Sequence, residues 1–95
     1  MRLMMTFRIP TEAGNRAGAQ HTIGQAIEKL IADTGATDAY FFMQDGMRAG
    51  VVFFEESDQA NLPRYNEPLM ESLGAQIAIQ PVLNLDDLKR GLGGA

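Results

Sequence analysis

The chain has 95 residues, enough for one domain that buries about 60–70% of the surface its unfolded form exposes. A formal net charge of −4, with no run of Lys or Arg, argues against nucleic-acid binding through a basic surface, because phosphate neutralisation drives such binding. The absence of cysteine removes disulfides, thiolate metal sites and a Cys nucleophile together, and no stretch approaches the roughly 20 apolar residues of a membrane span. The opening "MRLMMTFRIP" is too short and too interrupted for a signal peptide, so the expectation is a soluble cytoplasmic protein.

Residues 2–9 alternate, with Leu3, Met5, Phe7 and Ile9 on one side and Arg2, Met4, Thr6 and Arg8 on the other; this is a strand, closed by Pro10. "TEAGNRAG" is turn-rich and leads into "AQHTIGQAIEKLIADTG", where Ile23, Ile27, Leu30 and Ile31 fall at helical spacing. The spacing predicts one helix with Asn15 as N-cap and Gly35 just past its end. "YFFMQDGMRAGVVFFEE" then reads as two apolar strands around Asp45-Gly46, a pair suited to the type I′ hairpin turn with positive φ at both central residues. In "DQANLPRYNEPLMESLG" the residues Leu62, Tyr65, Leu69 and Leu73 have helical spacing, but Pro63 and Pro68 interrupt it. A proline inside a helix costs about 3 kcal/mol, so the pattern predicts a short turn and then a helix starting near Pro68, capped by Asn66 or Glu67. "AQIAIQPVL" is a fourth strand whose Pro81 points to an edge or a bulge, and "NLDDLKRGLGGA" gives a helical turn capped by Asn84 with a loose tail.

The order β-α-β-β-α-β predicts an α+β fold: a single ferredoxin-like domain over residues 1–95, with an antiparallel sheet of order 4-1-3-2 and both helices on one face. Placing Leu3, Met5, Phe7 and Ile9 beside Met47, Ala49, Val51 and Phe53 makes the helix-facing surface almost wholly apolar, with Tyr40 and Phe42 joining it. The open face then holds Ala39, Phe41, Met43, Gly50, Val52, Phe54, Met4, Thr6 and Val82, with Arg2, Arg8 and Arg48 toward its ends. This register is an assumption, and a slip of one residue exchanges the faces of the third strand. An apolar open face exceeds what monomers expose, and each large side chain on it is worth about 1.5–3 kcal/mol if covered. The economical cover is a second copy, packed sheet to sheet.

The element pattern over residues 1 to about 84 resembles the dimeric α/β-barrel superfamily, whose ferredoxin-like subunits pair through their sheets and which includes muconolactone isomerases and antibiotic-biosynthesis-type monooxygenases. The segment "EPLMESLGAQIAIQPVLNLDDLKRGL" is similar to the C-terminal part of short uncharacterised bacterial proteins of that fold. The resemblance implies a homodimer and a small-molecule site or cofactor-light reaction in the barrel. No motif matches residue for residue, so no catalytic residue is carried over.

Arg8 ends the first strand and Arg48 begins the third, which predicts both guanidinium groups at one end of the open face with Gln76 near the same rim. Their planar forks suit a carboxylate or phosphate, with Thr6 and Gly50 leaving space beneath and Phe41, Val52 and Phe54 giving apolar contact. The plainer reading is that Asp45 and Glu12 pair with the arginines at the surface, where such pairs are worth under about 1 kcal/mol. His21, the only histidine, lies opposite the apolar stripe of its helix and is expected in solvent, which disfavours a general base or a haem ligand. Glu55, Glu56 and Asp58 read as a charged strand end near Arg2 and the cap of the next turn, and no acid cluster supports a metal. Tyr40 and Tyr65 are expected in the core with their hydroxyls partnered at its boundary. Gly14 and Gly18 precede a helix but fit no phosphate-loop spacing. "RAGVVFFE" carries Gly50 and Val52 where RNA-recognition domains place exposed aromatics, so no nucleic acid is expected.

These readings lead to a homodimer, without metal, cofactor or membrane contact, that holds a small acidic or carbonyl-bearing molecule between its sheets. The alternative is a structural or accessory dimer whose inter-sheet space is filled core. A third arrangement has another protein on the open face.

Overall fold

A computed structural model describes residues 1–93. The last two residues of the expected tail, Gly94 and Ala95, lie outside the described residues. Strand β1 (Arg2–Ile9) is followed by helices α1 (Thr11–Ala19) and α2 (Ile23–Thr34), the hairpin strands β2 (Asp38–Gln44) and β3 (Met47–Glu55), and a 3-10 turn (Gln59–Asn61). Helix α3 (Leu62–Leu73), strand β4 (Gln76–Pro81) and helix α4 (Leu85–Gly91) complete the order. The sheet is antiparallel with order β2-β3-β1-β4, the arrangement expected from the sequence. Pro81 sits on an edge strand, where its missing N–H costs no ladder bond.

Asp45 and Gly46 adopt φ of 52° and 77°, the left-handed pair a type I′ turn requires, and Gln44 pairs with Met47 as the turn dictates. Gly35 is left-handed at φ 66° and closes α2, also as expected.

Three expectations about the helices change. The segment after β1 is two helices rather than one: the chain breaks at residues 20–22, where His21 takes a positive φ of 58°. Asn15 is therefore inside α1 and is no cap. Helix α3 begins at Leu62 and runs through Pro68. Pro63 falls in its first turn, where an N–H has no helical partner to lose. The penalty at Pro68 is offset by the buried stripe Tyr65, Leu69 and Leu73, each worth about 1.5–3 kcal/mol. Tertiary burial overrides local propensity here.

The core lies between the sheet and α1–α3. Leu3, Met5, Phe7 and Ile9 all face it, as their alternation predicts. The β3 register is the other one: Leu3 pairs with Phe54, Met5 with Val52, Phe7 with Gly50 and Ile9 with Arg48. Phe54, Val52, Gly50 and Arg48 thus point to the helices, and through the hairpin so do Ala39, Phe41 and Met43. Packing explains the choice. Phe54 is buried edge-on against Tyr65 of α3, with ring centroids 5.6 Å apart. Gly50 leaves the space in which the rings of Phe7 and Phe41 meet, since a β-carbon there would lie 2.5 Å from Phe7 Cζ and 2.9 Å from Phe41 Cδ1.

The open face consequently carries Met4, Thr6 and Arg8 of β1, Met47, Ala49, Val51 and Phe53 of β3, Tyr40 and Phe42 of β2, and Gln76 and Ala78 of β4. Tyr40 is 59% exposed rather than in the core, and Phe42 is 42% exposed. The shortest dimension of the Cα trace, 17 Å, accommodates one helix layer on one sheet and no third layer. Helix α4, with the expected Asn84 cap, projects from the body and is tied to it by an ion pair of 3.6 Å between Arg2 and Asp87. No helix among the described residues is long and apolar enough to cross a membrane.

Candidate functional site

Arg8 and Arg48 sit at the same end of the sheet on opposite faces. Arg8 pairs with Ala49 and Arg48 with Ile9, one step along, so the pleat turns the two guanidinium groups apart. The two-arginine corner expected from the sequence is therefore corrected to two separate sites with one arginine each. Val52 and Phe54 belong to the buried core and line neither; Gly50 is buried beneath the Phe7 and Phe41 rings.

The open-face corner keeps three of the expected residues. A cavity of about 290 Å³ is lined by the side chains of Thr6, Arg8, Gln44, Gln76 and Ala78. Arg8 pairs with Gln76 across β1 and β4, while Gln44 comes from the hairpin end of β2. Between them Ala49, opposite both Arg8 and Phe42, contributes only a methyl group. The Arg8 Nη1 donates to Asp45 Oδ2 at 3.2 Å across the exposed surface, which is the surface pairing anticipated for Asp45. Glu12 is in no ion pair among the described residues. The corner offers one guanidinium, two amides and a hydroxyl, all able to donate to oxygen atoms of a ligand. Gln44 was missed in the sequence, although its place opposite Met47 in the turn, combined with the correct face of β3, identifies it.

Arg48 lies on the helix side at the end of an apolar cleft of about 340 Å³ between α2 and β2. Phe7, Ile9, Ile23, Ile27, Phe41 and Met43 line it. The Arg48 Nη1 donates to Asn15 Oδ1 at 3.3 Å, and the guanidinium lies against Gly14 and Gly18 of α1. The glycines that superficially suggested a phosphate loop therefore make room for an arginine.

A third cleft, about 390 Å³, opens at the opposite end beside Met1, Leu3, Leu62, Ile79 and Pro81. Glu56 borders it and is fully engaged. It accepts from the Tyr65 hydroxyl at 2.6 Å, Asn61 Nδ2 at 2.9 Å and the Asp58 N–H at 3.1 Å. The Tyr65 hydrogen bond, then those from Asn61 and the backbone, hold the Glu56 carboxyl down at about 2, and the same bond pushes the Tyr65 hydroxyl up. Glu55 pairs with Arg2 at 3.6 Å, and Asp58 caps the following turn through the Ala60 N–H. These acids form the strand end and cap anticipated for them. His21 is exposed at the break between α1 and α2.

No protein-family model matches the chain, and no curated protein does. Its architecture matches solved structures at low identity. An ACT domain protein from Streptococcus pneumoniae superposes with a TM-score of 0.56 at 20% identity, over 84% of this chain and 88% of that one. Rv0793 from Mycobacterium tuberculosis gives 0.57 at 11% identity, over 88% of this chain and 97% of that one. The de novo designed protein Ferredog-Diesel gives 0.51 at 12%, over 85% of each chain. At these identities the likeness is one of fold, and with the strand order it establishes a ferredoxin-like α+β architecture.

Proposed function

We infer that the protein acts as a homodimer joined through the open faces of its sheets, holding a small acidic or carbonyl-bearing molecule at the Thr6–Arg8–Gln44–Gln76 corner. The observation that carries the reading is an uncovered sheet face with Tyr40, Phe42, Val51 and Phe53 beside a hollow, donor-rich corner. Covering those side chains stabilises association by about 1.5–3 kcal/mol for each large one fully buried. The corrected register strengthens the case, since it places three aromatic residues on this face.

The chemistry of the corner favours binding over turnover. Its lining groups are a guanidinium, a hydroxyl and two amides, and the neighbouring acid, Asp45, is engaged by Arg8 at 3.2 Å. The second reading is a dimer whose inter-sheet space is simply filled, favoured by the bulk of Tyr40, Phe42 and Phe53 on the face that would be shared.

Sedimentation equilibrium over a wide dilution range tests the association. The expected species has twice the chain mass of 10.4 kDa, and Phe53→Lys converts it to monomer. A wild-type monomer at high concentration sinks the dimer. Titration of the dimer with small carboxylates such as acetate and succinate separates the two readings. Binding that is lost in Arg8→Ala supports the ligand site, and no binding supports the filled core.

A further inference from the structure

We propose that the cleft between α2 and β2 is a second binding site, on the helix side of the sheet, for an alkyl carboxylate: the carboxylate on Arg48 and Asn15, the chain along Ile23, Ile27, Phe41 and Met43. Such a site requires no dimer, because Arg48 and the chain-binding residues all belong to one chain.

Three observations converge. The cleft, about 340 Å³, falls in the size range of small-molecule sites, and its lining is apolar except for Arg48. Phe41 is 53% exposed and Met43 66% exposed although both stand on the helix-facing side, so α2 does not cover this end of the hairpin. Arg48 has no carboxylate within ion-pair distance among the described residues, and its one side-chain partner is the neutral Asn15 oxygen at 3.3 Å. A half-buried cation at the end of an apolar trough calls for an anion that carries its own apolar surface. A free inorganic anion would leave Phe41 and Met43 wet, and an uncharged alkyl chain would leave the guanidinium without its counter-charge. Arg48 also lies where α1 offers Gly14 and Gly18, two positions without a β-carbon, and this is what lets the guanidinium settle at the end of the cleft.

The test is calorimetric titration with hexanoate, octanoate and decanoate below their micelle concentrations, with octanol as the uncharged control. Affinity is expected to rise by up to about fourfold per added methylene while the chain lies in the cleft. Octanol is expected to bind at least about tenfold more weakly than octanoate, the loss of a charge-assisted hydrogen bond. Arg48→Gln is expected to lose a similar factor. Should that variant fail to fold, Gly14→Ala gives the same information. Its β-carbon would stand 2.6 Å from Arg48 Nη1 and 3.3 Å from Ile9 Cγ2, so the flexible end of the arginine must move away while Ile9 gives by only a few tenths of an ångström. The methyl resonance of Met43, rather than those of Met4 and Met47 on the open face, is expected to shift on binding. No binding by decanoate at millimolar concentration overturns the proposal. Equal affinity for octanoate and octanol, or shifts confined to Met4 and Met47, does so as well.

Discussion

Tyr65 donates its hydroxyl to Glu56 at 2.6 Å, joining the first turns of α3 to the end of β3. The same Tyr65 ring packs edge-on against Phe54, so one side chain closes the core and anchors the strand end that follows it. The carboxyl of Glu56 is held down at about 2, against 4.5 for the free group, chiefly by this bond. A group with a depressed folded pKa contributes stability that is fully present above its unfolded pKa and is lost as pH falls through the folded one. The chain should therefore lose stability between about pH 4.5 and about 2. In Glu56→Gln the step attributable to this residue disappears, and Tyr65→Phe shrinks it. Thermal melts at closely spaced pH values measure this, and an unchanged acid profile in Glu56→Gln refutes it.

Gly50 should not tolerate even a methyl group. A β-carbon there would meet Phe7 Cζ at 2.5 Å and Cε1 at 2.8 Å, and the Phe7 ring is only 2% exposed, with no room to retreat. Gly50→Ala is expected to cost about 1–3 kcal/mol, the usual penalty of overpacking. Gly24→Ala, where nothing stands within 4 Å, is expected to stabilise by up to about 1 kcal/mol through helix propensity. Denaturant unfolding of the two variants should move the midpoint in opposite directions.

The same glycine marks the limit of what the sequence reveals. Strict alternation in β1 identified its buried face without ambiguity. β2 and β3 are apolar on both faces, so a shift of one residue leaves the hydrophobic pattern almost unchanged and exchanges every side chain. What decides the register is the meeting of Phe7 and Phe41 over Gly50, a contact made by the absence of a side chain. A glycine inside a strand is a general signal of close approach and is the clue by which the register could have been found. The separation of Arg8 from Arg48 follows from that one step. The Asp45-Gly46 turn and the Asn84 cap were legible because each rests on local chemistry, and the strand order because the succession of elements and right-handed crossovers leave few arrangements. The continuity of α3 through Pro68 was not, because it depends on Tyr65, Leu69 and Leu73 finding a core.

Helix α4 should be dispensable to the body of the fold. Leu85, Leu88 and Leu92 are exposed, and the link to the sheet is the Arg2–Asp87 pair, itself partly in solvent. Its own capping box joins Asn84 and Asp87, whose carboxyl is lowered first by the Asn84 backbone bond and then by Arg90. A chain ending at Leu83 retains the Val82 N–H bond to the Arg2 carbonyl and is expected to unfold within about 1 kcal/mol of the full chain. A loss of several kcal/mol, measured by denaturant unfolding at micromolar concentration, would show that the three leucines are covered in solution.

Asp45 competes with any anion for Arg8. Its Oδ2 stands 3.2 Å from Arg8 Nη1, and both side chains are well exposed, so the pair itself contributes under about 1 kcal/mol. At φ 52° the residue at this position must tolerate the left-handed region, which asparagine does readily. Asp45→Asn therefore keeps the hairpin turn while removing the carboxylate that occupies the guanidinium. If the open-face corner takes acidic ligands, the variant binds acetate or succinate more tightly than the parent, by up to about fivefold, the factor that about 1 kcal/mol represents. Its melting temperature should stay close to the parent's, which separates a change at the corner from damage to the turn. Chemical-shift titration following the side-chain amides of Gln44 and Gln76 reads the binding directly. Weaker or unchanged anion binding in a well-folded Asp45→Asn would mean that Arg8 serves the hairpin alone, and the filled inter-sheet core would become the better account of the open face.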